Sequence, residues 1–291
     1  MKKLVIFGVG LIGGSVALAL KKARFVTHIV GVGRTEKSLQ DALNLGVIDS
    51  LCDALDTNIN AACSDADVIL IAAPVAQTAP ILRSIKPHLQ AHTVITDAGS
   101  TKGNVLACAR EILGAQFSQF VGGHPIAGAE KSGVSAAKAD LFLGKNVVLT
   151  PAPETNSHAL RSVTDMWQKC GAKVSEMSAE NHDAIFAAVS HLPHLLAFAL
   201  VDDIANRPNA AELFSFAASG FRDFTRIAGS HPEMWRDIVL ANKAALLNEI
   251  TAFEVELNQL KQLLESEDSA GLQDLFERAS VARNNWANGK K

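Results

Sequence analysis

Short, almost wholly apolar runs separated by amphipathic stretches occupy the first part of the chain, and after about Ala179 only helical periodicity continues. Apolar runs at residues 4–7, 29–32, 68–72, 93–97 and 119–122, then 147–149 and 173–175, predict strands. Residues 15–22, 36–45, 78–87 and 104–113 carry helical patterns between them. Alternation at this spacing predicts a parallel sheet with helices on both faces, and strands that are apolar at nearly every position fit a sheet covered on both sides. The remainder predicts helices over 181–206, 210–219, 232–265 and 269–285. Ser230 and Glu233 form an S-x-x-E capping box ahead of the longest of these. Within it Leu246, Ile250, Phe253, Leu257, Leu260 and Leu264 recur at alternating four- and three-residue steps, a heptad seam that needs a partner helix from this chain or from a second copy.

The first predicted strand runs into Gly8-Val9-Gly10-Leu11-Ile12-Gly13, a G-x-G-x-x-G turn with a helix opening at Leu11. Gly8 permits the tight turn, Gly10 lets a pyrophosphate approach the backbone, and Gly13 allows close helix–strand packing. The N–H groups and positive dipole end at Leu11 and Ile12 favour a bound phosphate. Ala73 and Pro74, after the 68–72 strand, join the expected cofactor contacts. The fold class expected is therefore α/β, a Rossmann-type doubly wound sheet over residues 1–178, followed by an all-α domain over 179–291.

An acidic residue about 20 positions beyond the glycines marks NAD sites. Here that position is Gly33, followed by Arg34, Thr35 and Lys37. A carboxylate would repel a 2′-phosphate, whereas arginine forks to phosphate oxygens and stacks on adenine, so NADP is the expected cofactor, with NAD possible.

Composition narrows the picture. The 291 residues suffice for two domains, and 48% apolar residues suffice for a sizeable core. A net charge of −3 without basic blocks argues against nucleic acid. Cys52, Cys63, Cys108 and Cys170 are scattered, which suits reduced, packed thiols in a cytoplasmic protein better than a disulfide or zinc framework. The basic start and uncharged run to Leu20 resemble an export signal, but its glycines and the lack of a cleavage pattern argue against export and against a membrane span.

Polar clusters fall at predicted strand ends and in the helical half: DAGSTKG from Asp97, GGHPIAGAEKSG from Gly122, SHLPH from Ser190 and GFRDFTRIA from Gly220. With GxGLIGGS and MWRDI, in this order, they resemble the prephenate/arogenate (cyclohexadienyl) dehydrogenase family, over most of the chain up to about Lys243. HPIAG and DFTRIA are far more discriminating than the glycine turn. The resemblance implies a nucleotide-binding domain joined to a helical dimerisation domain, and a homodimer with a small-molecule substrate; the sequence to either side of the motifs is expected to leave no room for a fused mutase or regulatory domain. It also implies oxidative decarboxylation of prephenate or arogenate in tyrosine biosynthesis. Gly33-Arg34 departs from many NAD-using relatives.

That reaction needs a proton acceptor, anchors for a dianion and a fixed ring. Neutral His124 is the expected base at the C4 hydroxyl, the role the resemblance also gives to the HPIAG histidine. Ser100 is expected to orient that histidine or bond the same hydroxyl, a role compatible with its being the N-cap of a helix from Thr101. Arg226 alone would read as an ion pair with Asp223; by resemblance it anchors the ring carboxylate. Arg222 is a further candidate at the substrate side chain or faces solvent. His191 and His194, three apart around Pro193, are expected on one face of a helix that Pro193 kinks. An H-x-x-H pair can bind zinc, but no third ligand stands at useful spacing, and no metal is expected. By resemblance both histidines, Trp235 and Glu130 belong to the substrate pocket. Two other classes remain: a 3-hydroxyacid dehydrogenase-like oxidoreductase, and a non-catalytic NADP-binding sensor.

Overall fold

In the computed structural model, residues 1–53, 59–129 and 131–289 are described. The seven apolar runs become strands, and an eighth, β3, joins them: β1 (Lys3–Phe7), β2 (His28–Gly33), β3 (Ser50–Asp53), β4 (Val68–Ile71), β5 (Val94–Asp97), β6 (Phe120–Pro125), β7 (Asn146–Thr150) and β8 (Lys173–Glu176). They form one sheet in the order β3-β2-β1-β4-β5-β6-β7-β8. Pairing is parallel from β3 through to β6, with Val5 opposite Val30 and Ile69; β7 then runs antiparallel to β6, and β8 parallel to β7. The strand order reverses between β1 and β4, so a crevice opens there at the strands' carboxyl ends.

Helices α1 (Leu11–Lys22), α2 (Glu36–Asn44), α3 (Ile59–Cys63), α4 (Thr78–Ile85), α5 (Gly103–Leu113) and α6 (Ser157–Lys169) alternate with the strands. Alternate side chains of β1 explain why the strand is apolar throughout. Leu4 and Ile6 enter a core with Val16, Leu20, Leu70 and Trp167, while Val5 and Phe7 enter a second core with Ile69, Leu82, Ile85 and Phe120. Strand β3 and helix α3 had no apolar signal long enough to predict them. The β3 strand pairs through only four residues, and its side chains are partly exposed.

The helical half contains α7 (Ala179–Phe186), α8 (Leu192–Ala205), α9 (Ala210–Ser215), α10 (Ser219–Thr225), α11 (Pro232–Ala241), α12 (Lys243–Glu265) and α13 (Ser269–Gly289). Three predicted helices are thereby corrected. A π-helical turn, Ala187–His191, interrupts the 181–206 stretch just before Pro193, which has no N–H to donate. The 210–219 stretch ends at Ser215, and the 232–265 helix breaks at Asn242. The capping box does not form: His231 is the N-cap of α11, Pro232 begins it, and Ser230 instead closes the preceding turn Arg226–Gly229. Although 179–205 is long and apolar enough to cross a bilayer, it carries His182, Asp183, His191 and His194, all tied into internal hydrogen bonds.

By packing, the chain divides into Met1–Lys243 and Ala244–Lys291. In the second unit α12 and α13 are joined by a turn with Glu267 at φ 52°. Leu257 and Leu264 of the heptad series, with Phe276 and Trp286, remain about half exposed or more.

Candidate active site

Three glycines shape the first crevice wall. Gly8 adopts φ 92°, and a Cβ there would lie 2.7 Å from the Ala72 carbonyl oxygen. A Cβ on Gly13 would lie 2.3 Å from the Gly8 carbonyl oxygen, so α1 and β1 meet only because both side chains are absent. Gly10 differs: a Cβ would meet nothing within 4 Å. It is the N-cap of α1, no side chain caps the helix, and its first turn holds no acidic residue. Leu11 and Ile12 therefore begin a helix whose first N–H groups no side chain caps, next to the open space over Gly10, which fits a dinucleotide pyrophosphate. Ala73 and Pro74 come just after β4, and a Cβ on Gly8 would lie 2.9 Å from the Ala73 nitrogen. At the carboxyl end of β2, Gly33 is followed by exposed Arg34 and Thr35. A Cβ on Gly33 would meet the Leu39 side chain at 3.2 Å.

The second wall is built around a buried charge pair that sequence reasoning missed. Lys102, completely buried, forms an ion pair with Asp97 at the end of β5. Asp97 accepts from the Gly99 and Gly123 backbone N–H groups, and Lys102 Nζ donates to the Gly123 carbonyl at 2.8 Å. Two glycines allow this closeness. Side chains would collide with Thr150 Oγ1 at Gly122 and with the Asp97 carbonyl at Gly123. The pair thus clamps the backbone immediately before His124. Burial pushes the Lys102 ammonium below its ordinary pKa, against the pull of Asp97.

His124 Nδ1 lies 2.8 Å from His182 Nε2, and His182 Nδ1 lies 2.8 Å from Asp183 Oδ1. The two imidazoles meet edge-on, with centroids 5.0 Å apart, and Phe186 packs against both. Asp183 also accepts from the Lys102 and Gly103 backbone N–H groups at 2.8 Å, capping α5 from a distant helix. Ser100 is thus not that cap; α5 starts at Gly103. Burial alone would raise the Asp183 pKa, but the His182 and two backbone hydrogen bonds hold it below the usual range. An ionised carboxylate only accepts, so His182 carries its proton on Nδ1 and offers Nε2 as an acceptor. His124 must then donate from Nδ1, and its Nε2 keeps a bare lone pair. Burial, then the Lys102 charge, drives the His124 pKa well below 6.5, so the ring is neutral near pH 7.

The SHLPH segment and α11 form the third wall. His194 stacks on Trp235, centroids 3.6 Å apart, and donates from Nδ1 to the Ser190 carbonyl at 2.9 Å. His191 meets the same indole edge-on at 6.1 Å. The structure brings His191, His194 and Trp235 together, and Ser100 borders His191 through its backbone. Arg226, exposed at the end of α10, is near enough to His194 to add to the effect of burial in lowering that ring's pKa. Arg222 is exposed on α10. Glu130 lies outside the described residues. Asp97 and Lys102 were legible only as part of a motif, and His182, Asp183 and Asn242 only as polar positions of predicted helices, because their partners lie on other elements.

Comparison with known proteins agrees with this arrangement. Residues 16–176 match the nucleotide-binding domain of prephenate dehydrogenase, and residues 178–278 match its dimerization domain. The chain is 39% identical to prephenate dehydrogenase of Bacillus subtilis, over 96% of this chain and 75% of that protein. It is 33% identical to cyclohexadienyl dehydrogenase of Zymomonas mobilis, over 97% of this chain and 95% of that one. The structure of prephenate dehydrogenase from Aquifex aeolicus, in complex with hydroxyphenyl propionate and NAD+, superposes with a TM-score of 0.92 at 38% identity, covering 98% of both chains. Synechocystis arogenate dehydrogenase superposes at 0.81 with 28% identity, covering 98% of this chain and 99% of that one. A nucleotide crevice, a neutral, half-buried histidine near the carboxyl end of β6 and a helical half matching a dimerization domain are thus one inherited design: the chain belongs to the prephenate dehydrogenase family.

Proposed function

We propose that this chain catalyses oxidative decarboxylation of prephenate or arogenate in tyrosine biosynthesis, acting as a cytoplasmic homodimer that prefers NADP. The observation that carries the reaction is the unprotonated Nε2 of His124, forced by the Asp183–His182–His124 chain. The nicotinamide, when bound, supplies the acceptor for the hydride of ring carbon C4. His124 takes the C4 hydroxyl proton on Nε2 as that hydride departs. The C1 carboxylate then leaves as CO2, its bonding electrons completing the aromatic ring, and His124 returns the proton to the phenolate oxygen. Ser100 borders the same pocket and positions that hydroxyl. Arg226, with Arg222 at the rim, holds the substrate's carboxylates, and Trp235 with His191 and His194 lines the ring site.

The glycine turn, Leu11, Ile12, Ala73 and Pro74 hold the pyrophosphate and nicotinamide side of the cofactor. Arg34 and Thr35, where a carboxylate would select NAD, support NADP. The match of residues 178–278 to a dimerization domain and the half-exposed Leu257 and Leu264 support a dimer.

The decisive experiment measures initial rates of reduced-cofactor formation with prephenate and with arogenate, each against NADP and NAD. Turnover that disappears in His124→Asn, with cofactor affinity retained, is the expected result. No turnover in any combination, from folded protein that binds the cofactor, would exclude this reaction.

A further inference from the structure

Asn242 lies where α11 ends and the chain turns into α12, 5% exposed and without an apolar reason to be there. Its Nδ2 makes two contacts. It donates to the Asp183 backbone carbonyl at 2.8 Å and lies 3.0 Å from His191 Nδ1. The first contact settles the chemistry of the second. A carbonyl oxygen only accepts, so the atom facing it must be the amide nitrogen, and that nitrogen has a second hydrogen directed at His191. His191 Nδ1 must therefore accept, which places the ring proton on Nε2.

His191 is 1% exposed, and its Nε2 closes no hydrogen bond of ordinary geometry, although the ring borders the Ser100 backbone. A buried donor whose nearest acceptor is a poorly aligned backbone carbonyl is under-satisfied, a state tolerated where a ligand supplies a better acceptor. The neighbouring histidine has the opposite assignment. His194 donates from Nδ1 to the Ser190 carbonyl, so in its neutral form its Nε2 is bare.

We propose that Asn242 is a positioning residue that fixes His191 as a neutral Nε2–H donor for an acceptor oxygen of the substrate, a carboxylate or the ring hydroxyl. Only the identity of the acceptor rests on the dehydrogenase reading above. Asp183 thereby serves two histidines at once: its carboxylate sets the proton on His182 and through it on His124, and its carbonyl orients the amide that sets the proton on His191. One pocket then presents a bare imidazole nitrogen at His124 for taking a proton and an N–H at His191 for holding an oxygen.

The test begins with the unmodified protein labelled with ¹⁵N in histidine, the His191 signal being assigned from His191→Asn. The ring is expected to show Nε2–H and bare Nδ1 at neutral pH, without cofactor or substrate. In Asn242→Asp the carboxylate can only accept, so the proton should move to Nδ1, and KM should rise about tenfold with cofactor affinity unchanged. Asn242→Leu should leave both tautomers populated. A proton on Nδ1 in the unmodified protein overturns the inference without need of any variant. It fails equally if a folded Asn242→Asp keeps the Nε2–H ring, or if its KM is unaltered. A protein with the Nε2–H ring that turns over neither prephenate nor arogenate would instead overturn the reaction proposed above, leaving the proton assignment standing.

Discussion

His182 Nε2 stands 2.8 Å from His124 Nδ1, and this contact decides which nitrogen of His124 is free. Since His182 is itself held by an ionised Asp183, it offers His124 an acceptor and nothing else. Replacing His182 by Phe keeps an aromatic ring against Phe186 but removes the acceptor. His124 can then carry its proton on either nitrogen. We expect kcat to fall about a hundredfold, within the range typical of general-base effects, while KM and cofactor affinity stay within a factor of two or so. Steady-state kinetics and fluorescence titration with the cofactor check both parts. An unchanged kcat would show that the tautomer is set elsewhere.

The ingredients of this network differ in how far the chain announces them. The glycine turn and the alternating strands are local signals, so β1, α1 and the sheet were legible. So were His124, His191 and Trp235, which sit in compact motifs. Asp97 and Lys102 lie in a motif that was noticed, yet nothing local shows that they are completely buried, because their clamp closes on Gly123 of another strand. His182 and Asp183 looked like ordinary polar positions of a helix. Their meaning depends on α7 delivering Asp183 to the N-terminus of α5, about eighty residues earlier in the chain. The predicted 232–265 helix failed for a related reason: Asn242 breaks it while bonding residues from other segments, and periodicity is blind to such contacts.

Two glycines of the first turn should respond oppositely to alanine. At Gly13 the new methyl meets the Gly8 carbonyl oxygen at 2.3 Å, backbone against backbone, so α1 must shift. Such overpacking costs about 1–3 kcal/mol, readable as a lower urea midpoint. At Gly10 the methyl meets nothing, and φ −98°, ψ −150° suits alanine, so the apo stability should change by less than about 0.5 kcal/mol. Cofactor affinity should nevertheless drop about tenfold or more, because the methyl occupies the space the pyrophosphate needs. Intact cofactor binding in Gly10→Ala would remove that turn from the site.

Lys102→Met strands the Asp97 carboxylate in a site with no access to water. Breaking a buried pair in this way costs about 3–5 kcal/mol, and chemical denaturation should show a loss of that size. In Asp97→Asn combined with Lys102→Met both charges are gone, and most of the stability should return. The double variant has also lost the cation that depresses the His124 pKa, so the acid limb of kcat/KM should move to higher pH. A double variant no more stable than Lys102→Met would show that the clamp's hydrogen bonds, and not the unpaired charge, dominate.

Cofactor choice should invert at the end of β2. Gly33→Asp places a carboxylate where the ribose 2′-hydroxyl of NAD lies, and its Cβ asks only that the flexible Leu39 side chain yield from 3.2 Å. Arg34 is exposed and can be truncated without damage to the core. Gly33→Asp with Arg34→Ala should shift the NADP-to-NAD ratio of kcat/KM by about a hundredfold or more towards NAD, the worth of two charge-assisted contacts. A ratio that is unmoved would place the 2′-position away from Arg34.

Acid should unfold the protein through its buried and half-buried histidines. His124, His182, His191 and His194 all have pKa values depressed primarily by burial, that of His191 from 6.5 to about 4. Above the unfolded pKa both states are neutral and nothing is lost. As pH falls below it, the unfolded chain binds protons that the native rings refuse, so stability falls until the folded pKa is reached. For His191 that window runs from 6.5 to about 4, at about 1.4 kcal/mol for each pH unit. Urea midpoints measured across this window should decline steadily, and His191→Asn should flatten the decline because asparagine does not titrate. The same depression keeps His124 an unprotonated base, so the acid limb of kcat/KM should lie below 6.5 and not at it. A flat midpoint through the window, or an acid limb at the ordinary histidine value, would mean that these rings are hydrated in solution and that the His124–His182 contact is not closed.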